Sequence, residues 1–274
     1  MKHKYKKTDY ADVYGLRDFY HLIKQVSNTL AKNQVSDREE LCSLVKKGIE
    51  RNFGGNFGYI FNAVDEMQEY FAEEYVVGDV FHSLRSESIL DLVNENLIDD
   101  NPRYLMLIGR SDVLSFVLES KIKQEERISL VGSTFRKDLD EESYGSRCLS
   151  DIILYMEKGY SIVLENMDQI YSSLYDLFNQ NFANQGHRKY CRIALGAHFN
   201  PRCFVHPNFR VIVFVDSNEH SVLTKDPPFL NRFEKHHLDL EDILDEEQEC
   251  IVEDVEDWVN SFFRAENICI SKNN

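Results

Sequence analysis

The stretch PPFLNRFEKHHLDL, Pro227 to Leu240, sets Asn231, Arg232, Phe233 and Glu234 at a polar, charged helix end directly before a short strand-like exit. Just upstream lies RVIVFVDSNE, Arg210 to Glu219, an apolar run of strand length that gives way to a polar loop. Strand, loop, short helix and strand in that order describe the closing half of an α/β sheet.

Reading outward, strands and helices alternate from Pro102 onward, which favours a parallel sheet with helices on its faces. RYLMLIG (103–109) is the first strand, followed by the helix SDVLSFVLESKIK with Ser111 or Asp112 as N-cap. RISLVGS (127–133) is the second, and SRCLSDIILYMEKG is a helix stopped by Gly159. SIVLEN (161–166) is the third strand, and DQIYSSLYDLFNQNF follows as one long helix. A hairpin-like stretch at 189–206 leads into VIVFVD, and HHLDL at 236–240 is the fifth strand. Upstream, residues 11–75 read as helical: Leu16, Phe19, Tyr20, Leu22, Ile23 and Val26 recur at helix spacing, and Val45, Ile49 and Phe53 continue the pattern. The run EEQECIVEDVEDWVNSFFRAE is an amphipathic helix whose apolar face carries Trp258, Val259, Phe262 and Phe263.

Three stretches, FLNRFEKH, GLRDFYHLIK (Gly15 to Lys24) and SIVLENMDQIYSSLYDLFNQNF (Ser161 to Phe182), span most of the chain. Together they resemble the mysterin-type giant AAA+ RING-finger E3 ubiquitin ligases. The resemblance implies an α/β fold: an AAA+ P-loop-NTPase-like core with a parallel sheet, preceded by an α-helical lid-like bundle. Residues 1–75 would be the lid-like region of a preceding AAA+ module, 76–102 a connector, 103–244 a degenerate core, and 245–274 the start of a following helical region. It further implies that Arg232 is an arginine finger offered to a neighbouring module, where a guanidinium stabilises transferring phosphate. Arg17 matches a lid arginine that reads nucleotide in the preceding module, and Asp216, Ser217 and Asn218 fall at the polar sensor position. A surface ion pair with Glu234 or Asp239 is the plainer role for Arg232, an interhelical salt bridge that for Arg17, and a strand-end cap that for the sensor residues.

A phosphate-binding loop wraps phosphate with glycine backbone, then supplies Lys for charge and Ser or Thr for the metal. Here the first strand runs into Gly109-Arg110-Ser111-Asp112, with one glycine, no Lys-Ser/Thr pair, and a carboxylate where phosphate belongs. The third strand ends Glu165-Asn166, so the Asp-Glu pair that holds metal and polarises water is also broken. The expectation is a non-hydrolysing module that binds no cofactor itself, with ATP, Mg and zinc belonging to other parts of the family's full-length proteins. The implied partners are neighbouring AAA+ modules in the same chain, plus a ubiquitin-conjugating enzyme and ubiquitin for the whole ligase. An active ATPase with an atypical phosphate loop at Gly109 to Ser111, and a truncated acidic adaptor binding through the Trp258 helix, are the competing readings; an internal fragment is the expected status of the chain.

Bulk properties narrow the classes. With 274 residues, 43% hydrophobic, the chain can bury a sizeable core. A formal net charge of -16 argues against nucleic acid, which requires clustered Lys and Arg to displace counterions. No apolar run approaches the roughly 20 residues of a membrane span. Six cysteines without paired spacing fit reduced thiols and a cytoplasmic setting. Cys191, His198, Cys203 and His206 lack the pair-then-pair spacing of a zinc knuckle, so no metal site is expected there. His236 and His237 point to opposite faces of a strand, and Tyr171, Tyr175 and Phe178 lie at helical spacing and read as core or module interface.

Overall fold

The computed structural model describes residues 14–32, 37–55, 63–74, 78–139, 141–196, 199–216, 227–244 and 246–271. Five strands, β1 (Leu105–Gly109), β2 (Arg127–Val131), β3 (Ser161–Glu165), β7 (Arg210–Asp216) and β8 (Glu234–Leu238), form one sheet in the order β2-β3-β7-β1-β8. Every neighbouring pair is parallel. Parallel neighbours need long crossovers, and helices such as α6 (Ser111–Lys121) and α8 (Glu142–Lys158) supply them. The central strands β1 and β7 are buried along their lengths, as expected of a sheet covered on both faces, so the α/β core with a parallel sheet is realised. Gly159 ends α8 in the left-handed conformation, at φ 82°.

A second, antiparallel sheet of three strands sits between the third and fourth core strands in sequence: β4 (Ala183–Gln185), β5 (Arg188–Arg192) and β6 (Arg202–Val205). The hairpin expected at 189–206 is β5 and β6; the extra strand β4 was not anticipated.

Ahead of the core lie α1 (Leu16–Lys32), α2 (Arg38–Phe53), α3 (Ala63–Glu74), α4 (Gly78–Ser83) and α5 (Ile89–Ile98). Leu22, Cys42, Ile49, Phe53, Met67 and Phe81 build a separate small core among the first four. Helices α2 and α5 cover the β8 edge of the sheet, so that strand is buried although it reads Glu-Lys-His-His-Leu.

Three details depart from the sequence reading, and the facing of α1 adds a fourth observation on which that reading is silent. The run from Asp168 is not one long helix but α9 (Asp168–Tyr171), a 3₁₀ turn (Ser172–Leu174) and α10 (Tyr175–Phe178), because the Ser173 carbonyl accepts from Ala194 N–H at 3.1 Å rather than continuing a ladder. The last core strand starts at Glu234, not His236, since the Glu234 N–H bonds the Tyr104 carbonyl at 2.9 Å and opens the pairing with β1. Neither Ser111 nor Asp112 caps α6: Arg110 holds the cap position without a side-chain bond. On α1 the apolar residues Leu16, Phe19, Tyr20 and Ile23 are exposed, whereas Asp18 and Leu22 face inward.

The remaining helices are α7 (Arg136–Leu139), the one-turn α11 (Pro227–Leu230) and α12 (Glu246–Ser271). Residues to Leu238 form one compact unit, and Asp239 onward a second. The second unit contains α12, on which Ile251, Val255, Trp258 and Phe262 are exposed and Trp258 meets Phe262 edge-on at 4.7 Å.

Candidate functional site

At the C-terminal ends of the core strands, the sequence-expected phosphate-loop and carboxylate residues come together. Gly109 ends β1 beside Asp216 of β7, and Glu165 ends β3 one strand further on. Only Arg110 separates β1 from α6. A Cβ on Gly109 would lie 2.3 Å from the Leu238 carbonyl oxygen, so β8 closes over the strand end on that side. The Ser111 hydroxyl donates to Glu165 Oε1 at 3.0 Å, tying the would-be metal ligand to the would-be metal carboxylate. Arg110 turns away to a two-point contact with Asp112, Nε–Oδ1 3.2 Å and Nη2–Oδ2 2.6 Å, both side chains exposed. That contact holds the Asp112 carboxyl below its usual range. Asn166 adopts a left-handed backbone, φ 53°. Ser217 and Asn218 lie outside the described residues. What the sequence reads as a degenerate phosphate site is thus an internally bonded strand end with no glycine-rich loop.

Arg232 and Arg17 meet at the opposite, N-terminal end of the sheet. Phe229 and Phe233 anchor the turn that carries Arg232: both are buried, and both pack on Phe178, with ring centroids 5.8 and 5.1 Å away. With its neighbours facing inward, Arg232 projects outward, its guanidinium 4.0 Å from the Tyr175 ring centroid and bonded to the Pro228 carbonyl. The expected core role of Tyr171 and Phe178 holds, while Tyr175 is half-buried and serves as the arginine's platform. Glu234 is unavailable to Arg232 as an ion-pair partner, because Arg51 occupies it. Arg17 reaches across from α1 to Asn179 Oδ1 at 2.7 Å, a hydrogen bond rather than an interhelical salt bridge. Both arginines line one cavity of about 450 Å³.

Beneath that cavity lies a buried ionic cluster that the sequence reading missed. Asp18, with no solvent exposure, accepts from Arg103 Nη2 at 3.0 Å and Lys235 Nζ at 3.3 Å. Arg103 also donates to the Asn231 carbonyl at 2.6 Å, so the helix bearing Arg17 and the turn bearing Arg232 share one fixed cation. One strand residue along, Glu234 accepts from Arg51 Nε at 2.8 Å, Arg51 Nη2 at 3.0 Å and Asn96 at 2.8 Å, with His236 Nε2 3.2 Å away. Burial by itself raises a carboxyl, but Arg51 and the bond from His236 hold Glu234 down to about 2. Lys235, buried beside these cations, is pulled down to about 8 despite Asp18. The only available signal was a Glu-Lys-His-His run on a strand; nothing in sequence pairs Asp18 with Arg103 or Arg51 with Glu234.

Cys191 and Cys203 face each other across β5 and β6, both buried, and burial with the neighbouring carboxylate of Asp176 pushes Cys191 up to about 12. His198 lies outside the described residues, and among those described no three His, Cys, Asp or Glu side chains converge as a metal site. None of the described helices is long and apolar enough to cross a membrane.

Comparison of the sequence with known proteins points to one family. The sequence model described as the RNF213 AAA domain matches residues 94–244. The chain is 31% identical over 273 residues to human E3 ubiquitin-protein ligase RNF213, 29% over 273 residues to E3 ubiquitin-protein ligase rnf213-beta of Danio rerio, and 30% over 262 residues to mouse RNF213. Those alignments cover 93%, 95% and 92% of this chain but 5% of each relative, so the chain spans a small part of the proteins it matches.

Proposed function

The chain belongs to the RNF213 AAA-domain family, and from that premise we propose that it supplies a non-hydrolysing AAA+ module to an ATPase array within an E3 ubiquitin ligase. Its core stabilises and couples neighbouring modules instead of turning over ATP. The observation that carries this reading is the closed strand end, where a single residue joins β1 to α6 and Ser111 is bonded to Glu165. Phosphoryl transfer needs a phosphate cradle, a metal and a water-orienting carboxylate, and among the described residues this end offers no open cradle and holds Glu165 in a bond with Ser111.

The opposite end gives the module its part in the array. Arg17 and Arg232 lie on the same cavity, on elements joined through Arg103, which suits a lid arginine and an arginine finger presented together to a preceding module's nucleotide. The exposed apolar residues Leu16, Phe19, Tyr20 and Ile23 on α1 suit a lid helix that packs on the core of that preceding module. Ubiquitin transfer, its conjugating-enzyme partner, zinc and the hydrolytic ATP sites belong, in this proposal, to other parts of a cytoplasmic full-length ligase. Among the described residues, no feature of the strand end favours the alternative of an active ATPase.

Two measurements test the proposal. The chain alone should release no phosphate from Mg-ATP above background, and Glu165→Gln should change nothing; turnover abolished by that substitution would reject the non-hydrolysing role. In the full array, Arg232→Ala should lower ATP turnover, on the order of 10³-fold at the site it completes if it acts as arginine fingers do elsewhere. Unchanged array turnover would remove the trans role while leaving the module's inertness standing.

A further inference from the structure

The cavity holding Arg17 and Arg232 contains more positive charge than those two residues account for. Lys24, Lys189 and Arg210 also line it, with Asp100 as the lining carboxylate, and Asp100 pairs with Lys32 at 3.3 Å. Among the described residues, Arg17, Lys24, Lys189 and Arg210 have no carboxylate within ion-pair distance. Arg210 donates only to the carbonyls of Asp99, Pro207 and Phe209, and Arg17 to an amide oxygen. The local field is visible on His21, whose imidazole burial, Arg103 and Lys24 together pull down to about 3. Four uncompensated cations gather here in a chain with 47 acidic and 31 basic side chains. Such crowding raises the free energy of the empty site and is relieved by an anion.

We propose that this cavity binds a compact, multiply phosphorylated anion on the chain by itself, with Arg17, Lys24, Lys189 and Arg210 as its cationic ligands. A volume of about 450 Å³ is that of a small-molecule site. A monoanion would leave most of the four charges unmatched, whereas two or more phosphate groups place several charges in that space and suit guanidinium geometry. Arg17 and Lys189 are exposed and Arg210 half-buried, giving the ligand a route in from solvent. The site lies a strand length from Gly109 and Glu165, roughly 15 Å at about 3.3 Å per residue. It is therefore separate from the strand end where this fold holds its own nucleotide, and it does not require a neighbouring module. The phosphate chemistry has two sources, a nucleotide's polyphosphate or a free inositol polyphosphate.

Titration calorimetry of the purified chain, at low and at physiological ionic strength, tests this with inositol hexakisphosphate, magnesium-free ATP and inorganic phosphate as probes. Saturable one-to-one binding of a polyphosphate, weaker for inorganic phosphate and weaker with salt, is expected. Tighter binding of the hexakisphosphate assigns the free polyphosphate; tighter binding of ATP assigns the nucleotide. The double variant Lys24→Glu/Lys189→Glu, with unchanged melting, should bind at least about tenfold more weakly, whereas Lys121→Glu/Lys123→Glu, the same charge change elsewhere, should not. Absence of saturable binding of both polyphosphates, or equal binding by both double variants, overturns the proposal. Because the chain alone is titrated, that failure is distinguishable from a failure of Arg232 to act in the array.

Discussion

Replacing Glu234 by Gln probes the joint between the leading helices and the sheet. The Glu234 side chain is 2% exposed and that of Arg51 6%, with Nε–Oε1 at 2.8 Å. The substitution keeps the size and one acceptor but removes the charge, leaving Arg51 with Asp99 at 3.6 Å as its remaining carboxylate. Burial opposes ionisation of Glu234, yet Arg51 and His236 bring it from 4.5 to about 2. At about 1.36 kcal/mol per pKa unit, that depression corresponds to roughly 3 kcal/mol of stability. The figure agrees with the roughly 3–5 kcal/mol lost when one member of a buried pair is removed. Because the folded value lies below the unfolded one, this contribution is complete above about pH 4.5 and is lost as pH falls towards 2. Urea unfolding followed by circular dichroism should therefore show Glu234→Gln less stable by about 3 kcal/mol at neutral pH and by only about 1 kcal/mol near pH 3. Hydrogen exchange should place the loss in α2 and β8. A neutral-pH difference below about 1 kcal/mol, the range of an exposed pair, or a gap that does not narrow with acid, refutes the reasoning.

Asp18→Asn leaves Arg103 and Lys235 buried together without their carboxylate, so urea unfolding should register a loss of about 3–5 kcal/mol, with α1 the first helix to lose exchange protection. Gly109→Ala forces a methyl group towards the Leu238 carbonyl; a loss of about 1–3 kcal/mol in thermal unfolding is expected, and an unchanged melt would show that the β1–β8 contact yields easily. Cys191, its thiol pushed up to about 12 inside the β5–β6 layer, should resist iodoacetamide at mildly alkaline pH while exposed Cys250 is alkylated, as peptide mass mapping would reveal.

The parallel sheet was legible because its strands are short apolar runs bounded by polar turns, and the stop at Gly159 because only glycine sits easily in a left-handed helix end. The absence of a Lys-Ser/Thr pair after the first strand is a property of sequence, and the structure adds only that a single residue joins β1 to α6 there. Other features depended on partners far away in the chain. β8 looked two residues shorter because Glu234 and Lys235 resemble surface residues until Arg51 and Asp18 arrive to neutralise them. The apolar spacing of α1 marked a helix but not its inward face: the structure buries Asp18 and exposes Leu16, Phe19 and Tyr20, with Asp18 paired to Arg103 and Lys235. The basic cavity draws on α1, the start of β7 and the β5 hairpin, three places whose cations look unremarkable when read separately.

For the non-hydrolysing module proposed above, the single residue between β1 and α6 makes a nucleotide site at that strand end hard to rebuild. Writing Lys and Ser back into positions 110 and 111 would restore the letters of a phosphate loop without the length of chain on which its amides are displayed. On the proposed reading, a nucleotide site at that strand end returns by lengthening the backbone there and lifting β8 away from Gly109, two changes of different kinds. In the proposed array, the chemical energy that moves this module enters from its neighbours.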